Sequence, residues 1–355
     1  MLQRLRNQSQ HYAWGKPAAT SLVCAFLDSV DQTLPYAELW VGTSPLLESF
    51  LGDRRLSEVT GPLPYILKVL SISKPLSIQV HPNLPQAQFL HSAKPHIYPD
   101  ANHKPEVCVA VTDAELLYGL KTETEIQITL AAVPELAQLL VAEPTIRGKV
   151  ERLFTDEAET KRLVDQYVER TKASLDPFAQ FAQRLNHYFP GDTGIFFALL
   201  MNHIVLKPGE GVFVDAGIPH SYLSGDCVEA QACSDNVARC GLTPKPKDIP
   251  ALLNIIRCEQ TGLPEVLRPD RADLVYLYAA PCEEFALYRV QTGGKVPSLG
   301  PTCLLVTEGE GCLRVGGGGE QEIHRGDSFL LTTEAQVTGS AVVFACAPGL
   351  ARQSF

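Results

Sequence analysis

The chain has 355 residues, 45% hydrophobic and 20% charged, with a formal net charge of -10. This length allows two or three domains around a large core, in the composition range of globular proteins. The acidic balance has no Lys/Arg run, which excludes nucleic acid and anionic membranes as partners, and no apolar run is long enough to span a bilayer.

The first residues, MLQRLRNQSQHYAWG, are too polar for a secretory signal. A cytoplasmic protein is expected, in which the Asn7-Gln8-Ser9 sequon carries nothing. The ten cysteines are scattered without a C-x-x-C, and Cys227, Cys233 and Cys240 form only a loose cluster. They are expected to be reduced thiols.

From residue 1 to about 120, short β-type runs alternate with Pro, Gly and Ser; YILKVL (65–70), LSIQVH (76–81) and EVCVAV (106–111) are the clearest strands. From about 122 to 202 the period changes, and Leu163, Val164, Tyr167 and Val168 recur at helical spacing. Asp156 followed by Glu159 predicts the N-terminal cap of that helix. The β pattern returns at HIVLKPGEGVFVDAGIPHSYL (203–223) and, after KPKDIPALLNII (245–256), runs on to the C-terminus.

The expected fold is mainly β with an α-helical insert: two cupin/jelly-roll-like β-barrel domains plus a helical domain. Segments 1–121 and 203–255 would form the catalytic β domain, 122–202 the helical domain, and 256–355 a C-terminal barrel without a metal site. A weak repeat supports two barrels, since GEGVFVDAGIPH (209–220) aligns without gaps to GDSFLLTTEAQV (326–337). In that alignment His220 stands against Val337, so only the first copy keeps a polar group there. GGGG (316–319) lacks a following Lys-Ser/Thr and lies between β runs, so it predicts a hairpin loop rather than a phosphate loop.

In LSIQVH, alternation turns Ser77, Gln79 and His81 to one face. Three polar side chains on a core strand are costly unless they find partners. Glu106 begins a later strand and His220 closes a turn. Two histidines, one carboxylate and one amide oxygen make a first shell for one divalent cation. Without a thiolate, the set suits a catalytic centre better than a sealed structural one. Zinc fits best, and Fe(II), Mn(II) or Co(II) could take the same ligands. The bland alternatives are a hydrogen-bonded core histidine, a strand-start glutamate facing solvent and a merely polar glutamine.

YAWG (12–15), AELWVGTSP (37–45), LPYILKVLSISKPLSIQVHPN (63–83), NHKPE (102–106), PHSYLSGD (219–226) and SDNVARCGLTPK (234–245) occur in this order. Together they closely resemble the type I phosphomannose isomerase family, with YAWG similar to its bacterial members. The resemblance covers the β part of the catalytic domain, and the helical insert falls where the family carries one. It implies metal ligands at Gln79, His81, Glu106 and His220, and a catalytic arginine at Arg239. Ser44, where the family often has His, and Leu84, where it often has Lys, depart from the pattern without touching those five residues.

The implied reaction interconverts mannose 6-phosphate and fructose 6-phosphate through a cis-enediol. It needs a base, stabilisation of charge on oxygen, and a hold on the phosphate. Arg239 suits the enediolate or the phosphate. Glu229, among small and apolar neighbours, is the first candidate base, with Asp235 and Lys104 behind it; a structural ion pair of Glu229 with Arg239 or Lys245 is the alternative. Ser77, Lys68 and Lys245 are the candidates for the phosphate. Tyr222 and Trp14 would line the sugar site or belong to the core, and His103 could contact the site. The expected partner is a small sugar phosphate, bound by a monomer. Two rival functions remain: a cupin oxygenase holding Fe(II), against which Gln79 and Arg239 speak, and a silent sugar-binding paralogue, against which the full ligand set speaks.

Overall fold

The computed structural model describes residues 2–259, 262–270, 272–297 and 300–349, so parts of the expected C-terminal segment 256–355 lie outside the described residues. One long strand, His220–Ala232, organises the first sheet, which has eleven strands. Its first half pairs with Ala114–Leu120, and His220 lies in register with Gln79 of the short strand Ile78–Val80. Its second half pairs with Tyr65–Ile72 on one side and Glu106–Ala110 on the other.

The strand changes partners at a bulge, where Glu115 faces Ser224 and Leu116 faces Tyr222. Gly225 follows, with φ at +111°. A Cβ there would meet the Asp113 carbonyl oxygen at 2.6 Å and the Ala114 Cα at 2.7 Å. Only glycine fits both the angle and the approach.

Alternation gives the first sheet two different faces. Leu39, Val41, Leu67, Val69, Val107, Val109, Val228 and Ala230 share a core with Phe285, Leu287, Leu305, Leu330 and Phe344 of the C-terminal part. The opposite face carries Leu70, Cys108 and Cys227, and by the same period Lys68, Glu106 and Glu229.

The C-terminal part holds a six-stranded sheet in the order Leu2–Arg4, Ser328–Leu331, Thr302–Glu308, Val342–Ala347, Ala286–Gln291, Val275–Tyr278. A four-stranded sheet, Lys295–Val296, Ala335–Gly339, Glu310–Val315, Gly319–His324, packs on it around Val306, Leu313, Ile323, Phe329 and Val343. The first strand of the chain thus pairs with Ser328–Leu331 of the C-terminal part, although the expected domain division assigns it to the 1–121 segment. Gly211–Val214 and Ser328–Leu331 are both strands, at the positions that the repeat aligns. The glycine run closes a hairpin with Val315 opposite Gly319, and Gly317 and Gly318 both adopt φ near +90°.

Six helices lie within 122–202: Glu123–Ala132, Pro134–Leu140, Ile146–Thr155, Glu157–Arg170, Pro177–Tyr188 and Gly194–Leu199. Leu163, Val164, Tyr167 and Val168 are buried, as their spacing predicts. The predicted cap is different. Asp156 precedes Glu157–Arg170 but makes no capping hydrogen bond. Its carboxylate pairs with Arg152 at 2.9 Å, and Glu159 pairs with Arg162 at 2.7 Å, so ion pairs take both acids away from the backbone. Thr122 and Glu125 form a capping box at the start of the insert instead.

The core of the insert runs into Ile78, Val80, Ala238 and Cys240. That contact turns Ile78 and Val80 to the helices and leaves Gln79 for the other side. No helix among the described residues is long and apolar enough to cross a membrane.

Candidate metal centre

His81, Glu106 and His220 come from three separate chain segments, and their donor atoms all lie within 4.8 Å of one another. All three side chains are buried, with residue exposures of 0%, 2% and 1%. His81 Nδ1 lies 2.8 Å from the Asn236 carbonyl oxygen, and His220 Nδ1 lies 3.0 Å from that of Ile218. Facing carbonyls, both Nδ1 atoms must carry the proton and donate it, which leaves both Nε2 atoms as bare acceptors.

Those two Nε2 atoms are buried without a hydrogen-bond partner. They face the Glu106 Oε1 at 3.5 and 2.9 Å, so three lone-pair donors converge on one point. Without a positive charge between them this arrangement is repulsive. Ligand bonds of about 2.0–2.1 Å place neighbouring donor atoms about 3 Å apart, which matches. The residues therefore fit one divalent metal ion.

The charges around the set keep it in ligand form. Burial, reinforced by the Lys104 ammonium, lowers the His81 imidazole to about 4, so it is neutral at physiological pH. Burial alone would raise the Glu106 carboxyl, but Lys104, 3.6 Å from Oε2, leads the opposing charges and holds it well below the usual carboxylate range. The Tyr222 hydroxyl, buried, donates to Glu106 Oε1 at 3.4 Å. The hydroxyl is thus directed at one of the three donor residues.

Gln79 is half-buried and lies in register with His220 on one side and Arg239 on the other. Arg239 is also half-buried, and no carboxylate pairs with it among the described residues. A guanidinium free in an acidic protein is available to an anionic ligand.

Glu229 pairs with neither Arg239 nor Lys245, the partners expected of a structural role; its oxygen lies 3.6 Å from Lys68 Nζ. Burial, then the charge of Glu106, pushes its carboxyl up to about 7, against the pull of Lys68 and Lys104. Burial acts against the Lys68 ammonium, but Glu38, at 3.7 Å, and Glu229 overcome it and raise its pKa. Lys68 also sits over the Trp40 ring at 4.5 Å. Enclosed by two carboxylates and an indole, it has little left to offer a phosphate.

Ser77 is half-buried and immediately precedes the strand Ile78–Val80, which is shorter than the expected 76–81 run and leaves both Ser77 and His81 outside it. Lys245 lines a cleft of about 640 Å³ with Lys161, Lys247 and Thr193, on the side of the helical insert. Asp235 donates its backbone N–H to Asp100 Oδ2 at 2.8 Å. Trp14 stacks on Tyr12 and packs partly buried beside Leu70 and Ile72, so it is as much core as lining.

Two groups escape a reading of the sequence. Glu38 and Trp40 complete the Lys68 cluster, with Trp40 Nε1 donating to Glu38 at 2.6 Å. The signal was one lone charge in each of two apolar strands, which demands a mutual partner. The second is Asn236. Its carbonyl holds His81, while its amide donates to the Asp100 carbonyl at 2.7 Å and the Asn102 carbonyl at 2.9 Å. It ties one ligand to the loop that leads to another, and no spacing rule announces that.

Fold and site together define a class: a β-sheet protein with a helical insert and a buried two-histidine, one-carboxylate site for one divalent metal. A family model described as phosphomannose isomerase type I, catalytic domain, matches residues 2–61 and 51–123. The chain is 35% identical to the mannose-6-phosphate isomerase of the yeast Ogataea parapolymorpha, over 94% of both chains, and 34% identical to the human enzyme of that name, over 81% of each. Among solved structures, the apo mannose 6-phosphate isomerase of Salmonella typhimurium superposes with a TM-score of 0.88 at 27% identity, covering 98% of this chain and 99% of that one. The same Salmonella enzyme bound to fructose 6-phosphate and zinc gives 0.86 at 26% identity, covering 98% of this chain and 100% of that one. The chain belongs to the type I phosphomannose isomerase family.

Proposed function

We propose that this chain is a mannose-6-phosphate isomerase, which interconverts mannose 6-phosphate and fructose 6-phosphate through a cis-enediol, with zinc as its metal. The observation that carries this reading is the pair of bare, buried Nε2 atoms converging on Glu106, with an unpaired Arg239 in register with Gln79 on the neighbouring strand. His81, Glu106 and His220, with Gln79 as fourth ligand, would hold the ion. When bound, a zinc ion with one carboxylate and three neutral ligands supplies net positive charge that favours a developing enediolate.

The rest falls to the chain. Glu229, with a carboxyl near 7, takes the proton from one sugar carbon and returns it to the other. Lys68, fixed by Glu38 and Trp40, holds that carboxylate in place. Asp235 and Lys104 remain alternative proton carriers, and Lys104 is already engaged with Glu106. Arg239 balances negative charge on the sugar oxygens through a planar fork of donors. For the phosphate we assign Ser77 and Lys245 in preference to the enclosed Lys68.

We read the two β parts as cupin-like barrels, with the metal in the first, and the setting as a cytoplasmic monomer. The domain division 1–121 with 203–255, 122–202 and 256–355 is kept as a proposal, with Leu2–Arg4 exchanged to the last. The test strips the protein with chelator and follows fructose 6-phosphate formation from mannose 6-phosphate as single metals are restored. Activity should vanish and return with zinc. Full activity in metal-free protein would end this reading.

A further inference from the structure

The metal-site loop, residues 97–105, has no regular structure, yet it carries Lys104 and leads directly into the ligand Glu106. One side of it is tied to the 232–236 segment. Asn236 donates to Asp100 and Asn102, Ser234 Oγ donates to the Asn102 carbonyl at 3.0 Å, and the Ala232 N–H donates to the Pro105 carbonyl at 3.1 Å. A further tie comes from a different part of the molecule. His103 Nε2 lies 2.5 Å from Glu284 Oε1, with the two side chains 27% and 25% exposed. Glu284 sits in the turn between the antiparallel strands Val275–Tyr278 and Ala286–Gln291 of the C-terminal six-stranded sheet.

We propose that Glu284 is a positioning residue for the metal site: its carboxylate, through His103, fixes the loop at a second point besides Asn236 and so sets where the Lys104 ammonium stands beside Glu106. The proposal rests on the isomerase reading above and gives the C-terminal part a role in that reaction. The geometry supports it in three ways. The contact joins residues 181 positions apart, so it spans the two halves of the fold. The acceptor is an ionised carboxylate, which makes the bond charge-assisted, the strong class of hydrogen bond. And His103 adjoins Lys104, so a ring held by Glu284 leaves its neighbour little freedom. Tyr98, buried in the core, anchors the start of the loop and Asn236 its middle, whereas among the described residues Glu284 alone holds the His103 side chain.

The test is a double-mutant cycle. Glu284→Ala should lower kcat by about tenfold to a hundredfold, the scale on which small misplacements act, while zinc stoichiometry and the unfolding midpoint stay as in the wild type. Glu284→Gln keeps the size and one acceptor and should fall between the two. Combined with His103→Ala, Glu284→Ala should cost nothing further, because both act through one contact. Hydrogen exchange of the apo and zinc-loaded protein should show faster exchange confined to residues 97–105 in Glu284→Ala. Additive losses in the double mutant, or an unchanged kcat in both Glu284 variants, would overturn the proposal. The exchange arm stands apart from catalysis: a wild-type protein without isomerase activity would refute the functional reading, whereas unchanged exchange at 97–105 would refute the tie itself.

Discussion

Glu229→Gln should make the metal-free protein more stable at alkaline pH while removing its activity. The carboxyl is buried, and its pKa rises from 4.5 to about 7 on folding. Between those values the folded protein binds more protons than the unfolded chain, so stability falls as pH rises. Below about pH 4.5 both states are protonated and nothing is lost; above about 7 both are ionised and the loss is complete. A rise of about 2.5 pK units at 1.36 kcal/mol each corresponds to about 3 kcal/mol. Glutamine mimics the protonated form in size and shape, so it avoids this cost, while Lys68 keeps Glu38 as its counter-ion. Urea unfolding of chelator-treated protein should show equal stability for variant and wild type near pH 4.5, and an advantage of a few kcal/mol for the variant at pH 8. In the zinc-loaded enzyme the same change should lower kcat by about 10²- to 10⁴-fold, the usual worth of a general base. A variant that is less stable than wild type at pH 8, or one that keeps its kcat, would refute the reasoning that a buried, charge-strained carboxyl serves as the base.

His220→Ala should bind zinc below stoichiometry by elemental analysis, whereas Arg239→Ala should keep its zinc and lose about 10²- to 10³-fold in kcat, with Arg239→Lys failing to restore it because a point charge lacks the fork of donors. Asn236→Ala leaves the carbonyl that holds His81 but frees the 100–102 loop, so zinc affinity measured by chelator competition should weaken about 10- to 100-fold. Gly225→Ala forces a Cβ to 2.6 Å from a carbonyl oxygen at positive φ, and chemical denaturation should show a loss of about 2–4 kcal/mol or no soluble protein.

The change from strand to helix period at about residue 122 and back near 203 was legible in the sequence, because burial on one face imposes a period of 2 or 3.6 whatever the partner. The repeat at 209–220 and 326–337 likewise marked two corresponding strands. Asp156 stands at the cap position that the sequence predicts, but its capping bond is missing because neighbouring arginines compete for the carboxylates of Asp156 and Glu159, and propensity does not weigh that competition. The placement of Leu2–Arg4 was hidden for another reason. A three-residue strand pairs wherever an edge is offered, and its own sequence does not say which.

The site divides along the same line. By itself the sequence determined the chemistry: which residues can ligate a metal and, through six ordered motifs, which family they resemble. Side-chain type and local period carry that information without any distant contact. Only the tertiary structure decided how charge is shared. It set Lys68 between Glu38 and Glu229, turned the Tyr222 hydroxyl onto Glu106, gave Asn236 both a ligand and a loop to hold, and brought Glu284 to His103. Each of these joins segments far apart in the chain, and electrostatic interactions depend on distance and burial, which exist only once the sheets have packed.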